Sequence, residues 1–474
     1  MKESPPQESF ITCRNSQGSA VRGITLRMTR YVIAFEVYNP FSILQLSEVL
    51  TDFRITIRDR VVYSGRAVVS AMVNTGTVLV CEATLEEDWL DVDFAEDPAS
   101  SDQLRTGFEE FYQEWEKVQV VTPNFKLLVA DIHTFLMDLR RWIEQVEFSI
   151  RQTVRGEENP ERERETVRDL SELIVPPIQD LFTRFEEIAA EVDTPLEPAH
   201  RAYAKRLLHP LVLCSPFLWR TFTKPLGYAG DYEMVNMILR DPVEGPSLFA
   251  KLLNLNFLAL PAGQAHRNRV KMLSDYLRAE TRRVMKAHRP ARIFNLGCGP
   301  AQEVQAFLSR DDLCERAELT LLDFNEETIR NTEALLREIK IRHARKTTLQ
   351  TRQRSVHQIL KDQGHSEEDS SYDLVYCAGL FDYLSDRVCR RLMNIFYRMV
   401  APGGLLIVTN VEDSNPSKKV MEYMMEWHLV YRDRKQLLSL RPDAAGESDC
   451  RILADDTGLN IFLEIRKPDT PSRS

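Results

Sequence analysis

Hydrophobic and polar positions change period twice along the chain. From Gly23 to about Leu85 the pattern is β-rich. Ile24, Leu26 and Met28 alternate with polar neighbours, and so do Val32, Ala34, Glu36 and Tyr38 with their partners. Further runs cover Phe53 to Ile57, Val61 to Val69 and Thr77 to Cys81, with turn signals at Asn39-Pro40, Arg58-Asp59 and Asn74-Thr75-Gly76. Short strands at this spacing predict a small barrel or sandwich over residues 21–100. Residues 1–20 are polar and are expected to form a flexible N-terminus.

From about Ser101 the period lengthens. Phe108, Phe111, Tyr112 and Trp115 share a helical face. Ile132, Leu136, Leu139, Ile143, Val146 and Ile150 then recur every three or four residues. That spacing predicts a long amphipathic helix, its stripe turned to a bundle core or to a partner helix. The stretch Arg155 to Glu165 is charged in both signs and reads as an exposed loop. Helical patterning resumes at Val167 and runs to about Lys286, with breaks expected at Pro210, Pro216, Pro225 and Pro242. Residues 101–286 are thus the expected helical domain.

Residues 287–474 alternate the two periods. Strands are expected at Arg292–Leu296, Glu318–Leu322, Thr347–Arg352, Tyr372–Cys377, Gly404–Thr409 and Ile461–Arg466, with helices at Glu326–Ile341 and Arg387–Val400 among the gaps. This alternation predicts a doubly wound, Rossmann-like sheet. The whole chain is then a multi-domain α/β protein: barrel, helical bundle, sheet.

Composition narrows the classes. The chain has 474 residues, 43% hydrophobic and 28% charged, as expected of a soluble globular protein. A net charge of -10 argues against a general nucleic-acid binder, which needs a basic face. Eight cysteines lie scattered with no Cys-x-x-Cys pair, so neither a disulfide framework nor a metal site is expected. No apolar run approaches the ~18 residues needed to span a bilayer. The polar start lacks an apolar signal core, and a cytoplasmic location is expected.

Candidate chemistry gathers where strands end. The run Arg292 to Leu296 stops at Gly297-Cys298-Gly299, and a helical pattern follows at Val304, Phe307 and Leu308. Glycines there let backbone N–H groups approach a ligand. The next strand ends at Asp323, an acid placed to accept both hydroxyls of a ribose. Ligands of such sheets sit at the carboxyl ends of the strands, where Gly297, Asp323, Ser355 and Cys377 to Gly379 all fall. A second dense stretch is Lys224-Pro-Leu-Gly-Tyr-Ala-Gly-Asp-Tyr-Glu-Met234, a glycine- and tyrosine-rich loop opening a helix. Within it Asp231 is either a helix cap or a ligand-facing acid.

On these residues, 290–467 resembles a class I S-adenosylmethionine-dependent methyltransferase. The Tyr-Asp-Leu-Val strand at 372–375 and the Pro-Gly-Gly turn at 402–404 belong to the same resemblance. The family's first motif is acidic-x-Gly-x-Gly-x-Gly; Gly297 and Gly299 match, Asn295 stands at the acidic position and Ala301 at the third glycine. The resemblance implies S-adenosylmethionine as cofactor, with its methionyl end over Asn295, Gly297, Cys298 and Gly299. It implies the ribose at Asp323, with Phe324 beside it, and the adenine near Ser355 and Val356, where the family has an acid. Cys377, Ala378 and Gly379 would flank cofactor and acceptor. Apart from the resemblance, Arg267 and Arg269 on the helix upstream of the sheet are either a solvated face or partners of the cofactor's carboxylate or a fatty carboxylate, and Arg269 is counted among the cofactor-binding residues. Rossmann dehydrogenases compete for the glycine loop but prefer Gly-x-Gly-x-x-Gly, and the third residue after Gly299 is Gln302.

The stretch Gly-Tyr-Ala-Gly-Asp-Tyr-Glu at 227–233 is similar to the bacterial 3-hydroxypalmitic acid methyl ester biosynthesis group, a resemblance covering about residues 170–467. It implies methylation of a fatty carboxylate to a diffusible signal. Another small-molecule oxygen or nitrogen acceptor is the alternative. Residues 20–100 resemble a PilZ barrel, which in many bacteria binds cyclic di-GMP. The binding motif is degenerate: Ser47 fits, but Gln45 and Leu50 replace the acid and the glycine. A nucleotide-responsive signalling protein that uses the methyltransferase fold for binding is the rival from another class. Tyr228, Asp231, Tyr232, Asp382 and Tyr383 are the candidate acceptor-facing catalytic groups, with His428 a spare base. The expected partners are a small-molecule acceptor, such as a fatty acid or acyl derivative, and a second copy through the barrel or helical region.

Overall fold

A computed structural model describes residues 9–29, 31–37, 44–57, 60–74, 79–86, 105, 109, 121–153, 160–362 and 370–469. The expected Phe108-to-Trp115 face and the turns at residues 39–40, 58–59 and 75–76 lie outside them. The chain does not divide at successive boundaries. It packs as two units: Met1–Ala229 with Asp241–Leu258 and Pro416–His428, and Gly230–Arg240 with Ala259–Asn415 and Leu429–Ser474.

The first unit opens with a closed six-stranded barrel: β1 (Ser9–Arg14), β2 (Ala20–Met28), β3 (Val32–Val37), β4 (Val49–Ile57), β5 (Arg60–Asn74) and β6 (Leu79–Leu85). Their order is β1-β2-β3-β6-β5-β4. The start expected to be loose therefore contains a strand, since β1 pairs with both β2 and β4 and closes the barrel. Its inward residues are only Ile11 and Cys13, too short an alternation to register in sequence. On β2 the phase is reversed: Val21 and Gly23 face in, while Ile24 and Leu26 are exposed. Phe35, Phe53 and Tyr63 fill the interior, with Phe35 and Phe53 ring centroids 5.9 Å apart.

Helices complete this unit. Pro123–Thr153 carries the expected stripe, with Ile132, Leu136 and Ile143 fully buried. Pro160–Ala190 begins inside the stretch expected to be a loop. Pro210 does not break Glu197–Val212 but lies inside it, in its last turn. Pro216 starts Pro216–Thr223 behind a Ser215 cap. Aromatic rings join the helices: Phe185 lies 5.4 Å from Phe125 and 5.7 Å from Tyr423. Tyr423 belongs to the helix Lys418–Met424, whose first amides, Lys419 and Val420, donate to the Glu186 carboxylate at 2.6 and 2.9 Å. A carboxylate there satisfies donors that every helix start leaves open.

The second unit is built on a seven-stranded sheet: β7 (Ala291–Leu296), β8 (Ala317–Asp323), β9 (Thr348–Gln353), β10 (Tyr372–Cys377), β11 (Val400–Val411), β12 (Cys450–Ala454) and β13 (Asn460–Arg466). The order is β12-β13-β11-β10-β7-β8-β9. β7 pairs in parallel with both β8 and β10, whereas β13 runs antiparallel to β11 and β12. The chain steps outward from β7 to β9 and then returns to β10 on the other flank of β7. A crevice therefore opens between the carboxyl ends of β7 and β10, the place where doubly wound sheets take ligands. Leu277 from the helix Pro261–Met285 packs with Ile293, Val304, Phe307, Leu319, Leu374 and Ile407 in one core.

Candidate functional site

At the end of β7 the chain turns tightly. The amides of Gly297 and Cys298 both donate to the Leu322 carbonyl, at 2.8 and 2.9 Å. Gly297 has φ +72, which a side chain would strain. The next glycine reaches the neighbouring strand end: the Gly299 amide donates to Asp323 Oδ2 at 3.1 Å. Asp323 Oδ1 accepts the Asn325 amide at 3.0 Å. Burial pushes this carboxyl above its ordinary range, and the Asn325, Gly299 and Phe324 amides pull it back. An ionised carboxylate has about four acceptor positions, so a diol still finds room on Asp323. A Cβ placed on Gly299 would meet no atom within 4 Å, so the space above the turn is open.

Across the crevice, β10 ends in Cys377, Ala378 and Gly379. The Gly379 amide donates to Thr409 Oγ1 at 3.0 Å. With φ +86 and no side chain, Gly379 admits the Arg269 guanidinium: a Cβ there would lie 3.1 Å from both terminal nitrogens. Arg269 comes from the helix Pro261–Met285. Its Nη1 lies 4.0 Å from Asp382 Oδ2. Asp382 Oδ1 accepts the Val411 amide at 2.7 Å. Burial pushes Asp382 up to about 6, against the pull of Arg269. Glu303 is buried, and its Oε1 accepts the Tyr376 hydroxyl at 2.7 Å.

The sequence-expected residues fall as follows. Asn295 donates from Nδ2 to the Tyr376 carbonyl at 3.3 Å, and its buried Oδ1 has no partner among the described residues. Ser355 caps the helix Val356–Lys361 in a reciprocal box with Gln358, and Val356 is buried. Phe324 is half-buried, and its carbonyl accepts from Gln353. The Cys298 and Cys377 thiols are buried and pushed well up by desolvation, so they stay protonated. Asp231 caps the helix Tyr232–Leu239. Tyr232 donates to Glu327 Oε1 and accepts from Asn331 Nδ2, both at 3.0 Å. The Tyr383 hydroxyl lies 2.7 Å from where a Cβ on Gly230 would sit. Arg267 Nη1 donates to the Ile238 carbonyl at 3.0 Å.

Two expected residues, Tyr228 and His428, belong to the first unit. His428 is buried there and held well below its ordinary range by desolvation. Its backbone exchanges two bonds with Ser47 Oγ, at 2.5 and 3.0 Å. Sequence reading missed His266, Thr409 and Asn460. His266 precedes Arg269 by one helical turn, a spacing that could have flagged it. Thr409 and Asn460 reach the edge through sheet pairing, which leaves no local signal.

Residues 294–406 match a protein-family model described as a methyltransferase domain. No curated protein matches the chain. Among solved structures, a Bordetella parapertussis protein described as a possible exported protein is 18% identical over 60% of this chain and 94% of that one, with a TM-score of 0.40. Magnesium protoporphyrin IX methyltransferase from Synechocystis PCC 6803 with bound SAH is 11% identical over 43% and 84%, at 0.32. A SAM-dependent methyltransferase from Methanosarcina mazei is 16% identical over 38% and 93%, at 0.27. These likenesses are slight, and the domain match carries the assignment. The second unit contains a methyltransferase domain, and the protein is a methyltransferase that uses S-adenosylmethionine. The donor set fits that cofactor: backbone N–H groups and open space at the glycine turn, and a carboxylate with acceptor positions left beside it.

Proposed function

We propose that the second unit methylates an oxygen of a small molecule, in its specific form the carboxylate of a 3-hydroxy fatty acid, giving a methyl ester signal. The observation that carries the carboxylate reading is the state of the acids at the edge. Asp382 is bonded to the Val411 amide, Glu303 to the Tyr376 hydroxyl and Asp231 to the Met234 amide. A carboxylate acceptor is ionised at neutral pH and needs no general base, so the reading asks none of these hydrogen-bonded acids to take a proton.

The cofactor supplies an electrophilic methyl group on a sulfonium. In this reading Asn295, Gly297, Cys298 and Gly299 hold its methionyl part, Asp323 with Phe324 the ribose, and Ser355 with Val356 the adenine. Cys377, Ala378 and Gly379 wall the crevice between cofactor and acceptor. Alignment and exclusion of water then do most of the catalysis, effective molarity being worth roughly 7–11 kcal/mol at best. Asp231, Tyr232, Asp382 and Tyr383 are assigned to acceptor positioning. The barrel is read as a degenerate PilZ domain, copies as pairing through the barrel or helical region, and the location as cytoplasmic.

The test is incubation of the full chain with S-adenosylmethionine and 3-hydroxypalmitate, with mass spectrometry of the products. A product heavier by one methylene, sensitive to mild base, is expected. Cofactor turnover with other acceptors but none with 3-hydroxy acids would transfer the reading to another small molecule.

A further inference from the structure

The seven-stranded sheet ends on one side at β9. The Arg354 amide donates to the Asp323 carbonyl at 2.8 Å, continuing the β8–β9 ladder. In a parallel pair, alternate residues turn their backbone groups to the neighbouring strand. Thr348, Gln350 and Arg352 are in step with Arg354 and so face β8. The backbone N–H and C=O groups of Leu349, Thr351 and Gln353 therefore point away from the sheet. Among the described residues no strand pairs with them.

Sheets commonly blunt such an edge with a proline, a bulge or an inward charge. β9 reads Thr-Leu-Gln-Thr-Arg-Gln, and its pairing with β8 runs without a bulge. Its one charge, Arg352, lies with Thr348 and Gln350 on one face, whereas Leu349 and Thr351 line the other. On that second face, between β9 and the helix Glu326–Arg342, is an open groove of about 500 Å³. Its lining includes buried Leu336, half-buried Leu349 and Ile341, which is 75% exposed. Alone, an exposed isoleucine carries no meaning. Here it adjoins a groove and an unpaired strand edge.

The charges of the groove are unequal. Arg337 holds Glu333 at 2.7 Å, and Arg345 holds Asp312 at 2.6 Å. Lys340 has no carboxylate among the described residues. Its ammonium donates to the Thr347 carbonyl at 2.5 Å, which leaves it further donors. The groove thus has aliphatic surface for apolar side chains and a cation for one acid.

We propose that the β9 edge takes up an extended segment of a partner protein, whose groove-facing side chains are aliphatic and acidic in turn. Main-chain bonds to Leu349, Thr351 and Gln353 hold the added strand, and every second side chain enters the groove. Charge selects this occupant over a second copy of β9. In a two-fold pairing the copy's strand would bring Leu349, Thr351 and Gln353 to the groove face, with no carboxylate for Lys340. The surface lies at the outer edge of the sheet, and the proposal does not rest on the methyl-transfer reading.

The probe is a displayed library of random ten-residue peptides, selected on the full chain, with the best binder remade as a soluble labelled peptide. Selected sequences should carry Asp or Glu two residues from Val, Ile or Leu. Thr351→Pro removes one outward N–H and should weaken the soluble peptide at least tenfold by fluorescence anisotropy. Lys340→Glu should weaken it at least fivefold, and raised salt should weaken the wild type. Melting temperatures show that the variants fold; should Thr351→Pro not fold, Lys340→Glu decides. Failure of the library to give any binder tighter than millimolar overturns the proposal. So do binders without an acid, or binders indifferent to every folded variant. Sedimentation gives the remaining outcome: self-association of the wild type that Thr351→Pro abolishes would assign the edge to a second copy and overturn the partner segment.

Discussion

The Asp231 carboxylate accepts the Met234 amide at 2.8 Å and so caps the helix Tyr232–Leu239. Asn caps a helix about as well as Asp, whereas Ala leaves the N-terminal amides open at a cost of about 0.5–2 kcal/mol.

Asp231→Ala should therefore lower the stability of the protein by that amount, and Asp231→Asn should not. Under the proposed acceptor-positioning role, Asp231→Asn lowers turnover with S-adenosylhomocysteine affinity intact. Denaturant midpoints and steady-state rates on both variants make the comparison. Wild-type rates in Asp231→Asn would leave Asp231 as a cap alone.

Lys224 gives the first unit a pH dependence. Its ammonium is buried and donates to the Met425 carbonyl at 2.9 Å. Burial lowers it to about 7, although Glu426 favours the charge. In the unfolded chain a lysine keeps its proton to about pH 10.4. Between those values the unfolded state binds more protons, so stability rises with pH from about 7 towards 10. Lys224→Met should lack that rise. Urea midpoints at three pH values across this window decide it; parallel curves for wild type and variant would contradict the buried-amine explanation.

The barrel should bind cyclic di-GMP no tighter than millimolar. Ser47, the one residue fitting the nucleotide motif, is fully buried and bonded to the His428 backbone. Gln45 and Glu48 beside it are buried too, with the Gln45 amide donating to the Glu48 carboxylate at 2.8 Å. Titration of the full chain with the nucleotide tests this, and micromolar binding would revive the signalling alternative.

The sheet was legible because its signal is local. β7, β8, β10 and β13 are short, mostly apolar runs, and they form within a residue or two of their expected limits. β12 was missed because its residues are half-buried or exposed, with Arg451 the second of them. The glycine turn and Asp323 were readable from spacing. A serine before a short helix reads equally as cap or ligand, and Ser355 does cap the helix Val356–Lys361. The passage of residues 416–428 into the first unit left no trace in the sequence. Phe125, Phe185 and Tyr423 meet only after folding, and no local period records contacts between positions so far apart.

The most direct measurement is calorimetry of S-adenosylhomocysteine with the wild type and Asp323→Ala. Sub-millimolar binding to the wild type is expected, weakened in the variant by about 1.5–3 kcal/mol, the range for hydrogen bonds to a charged group. Absence of binding to the wild type, or equal affinity in a folded Asp323→Ala protein, would contradict the placement of the cofactor over Gly297, Gly299 and Asp323.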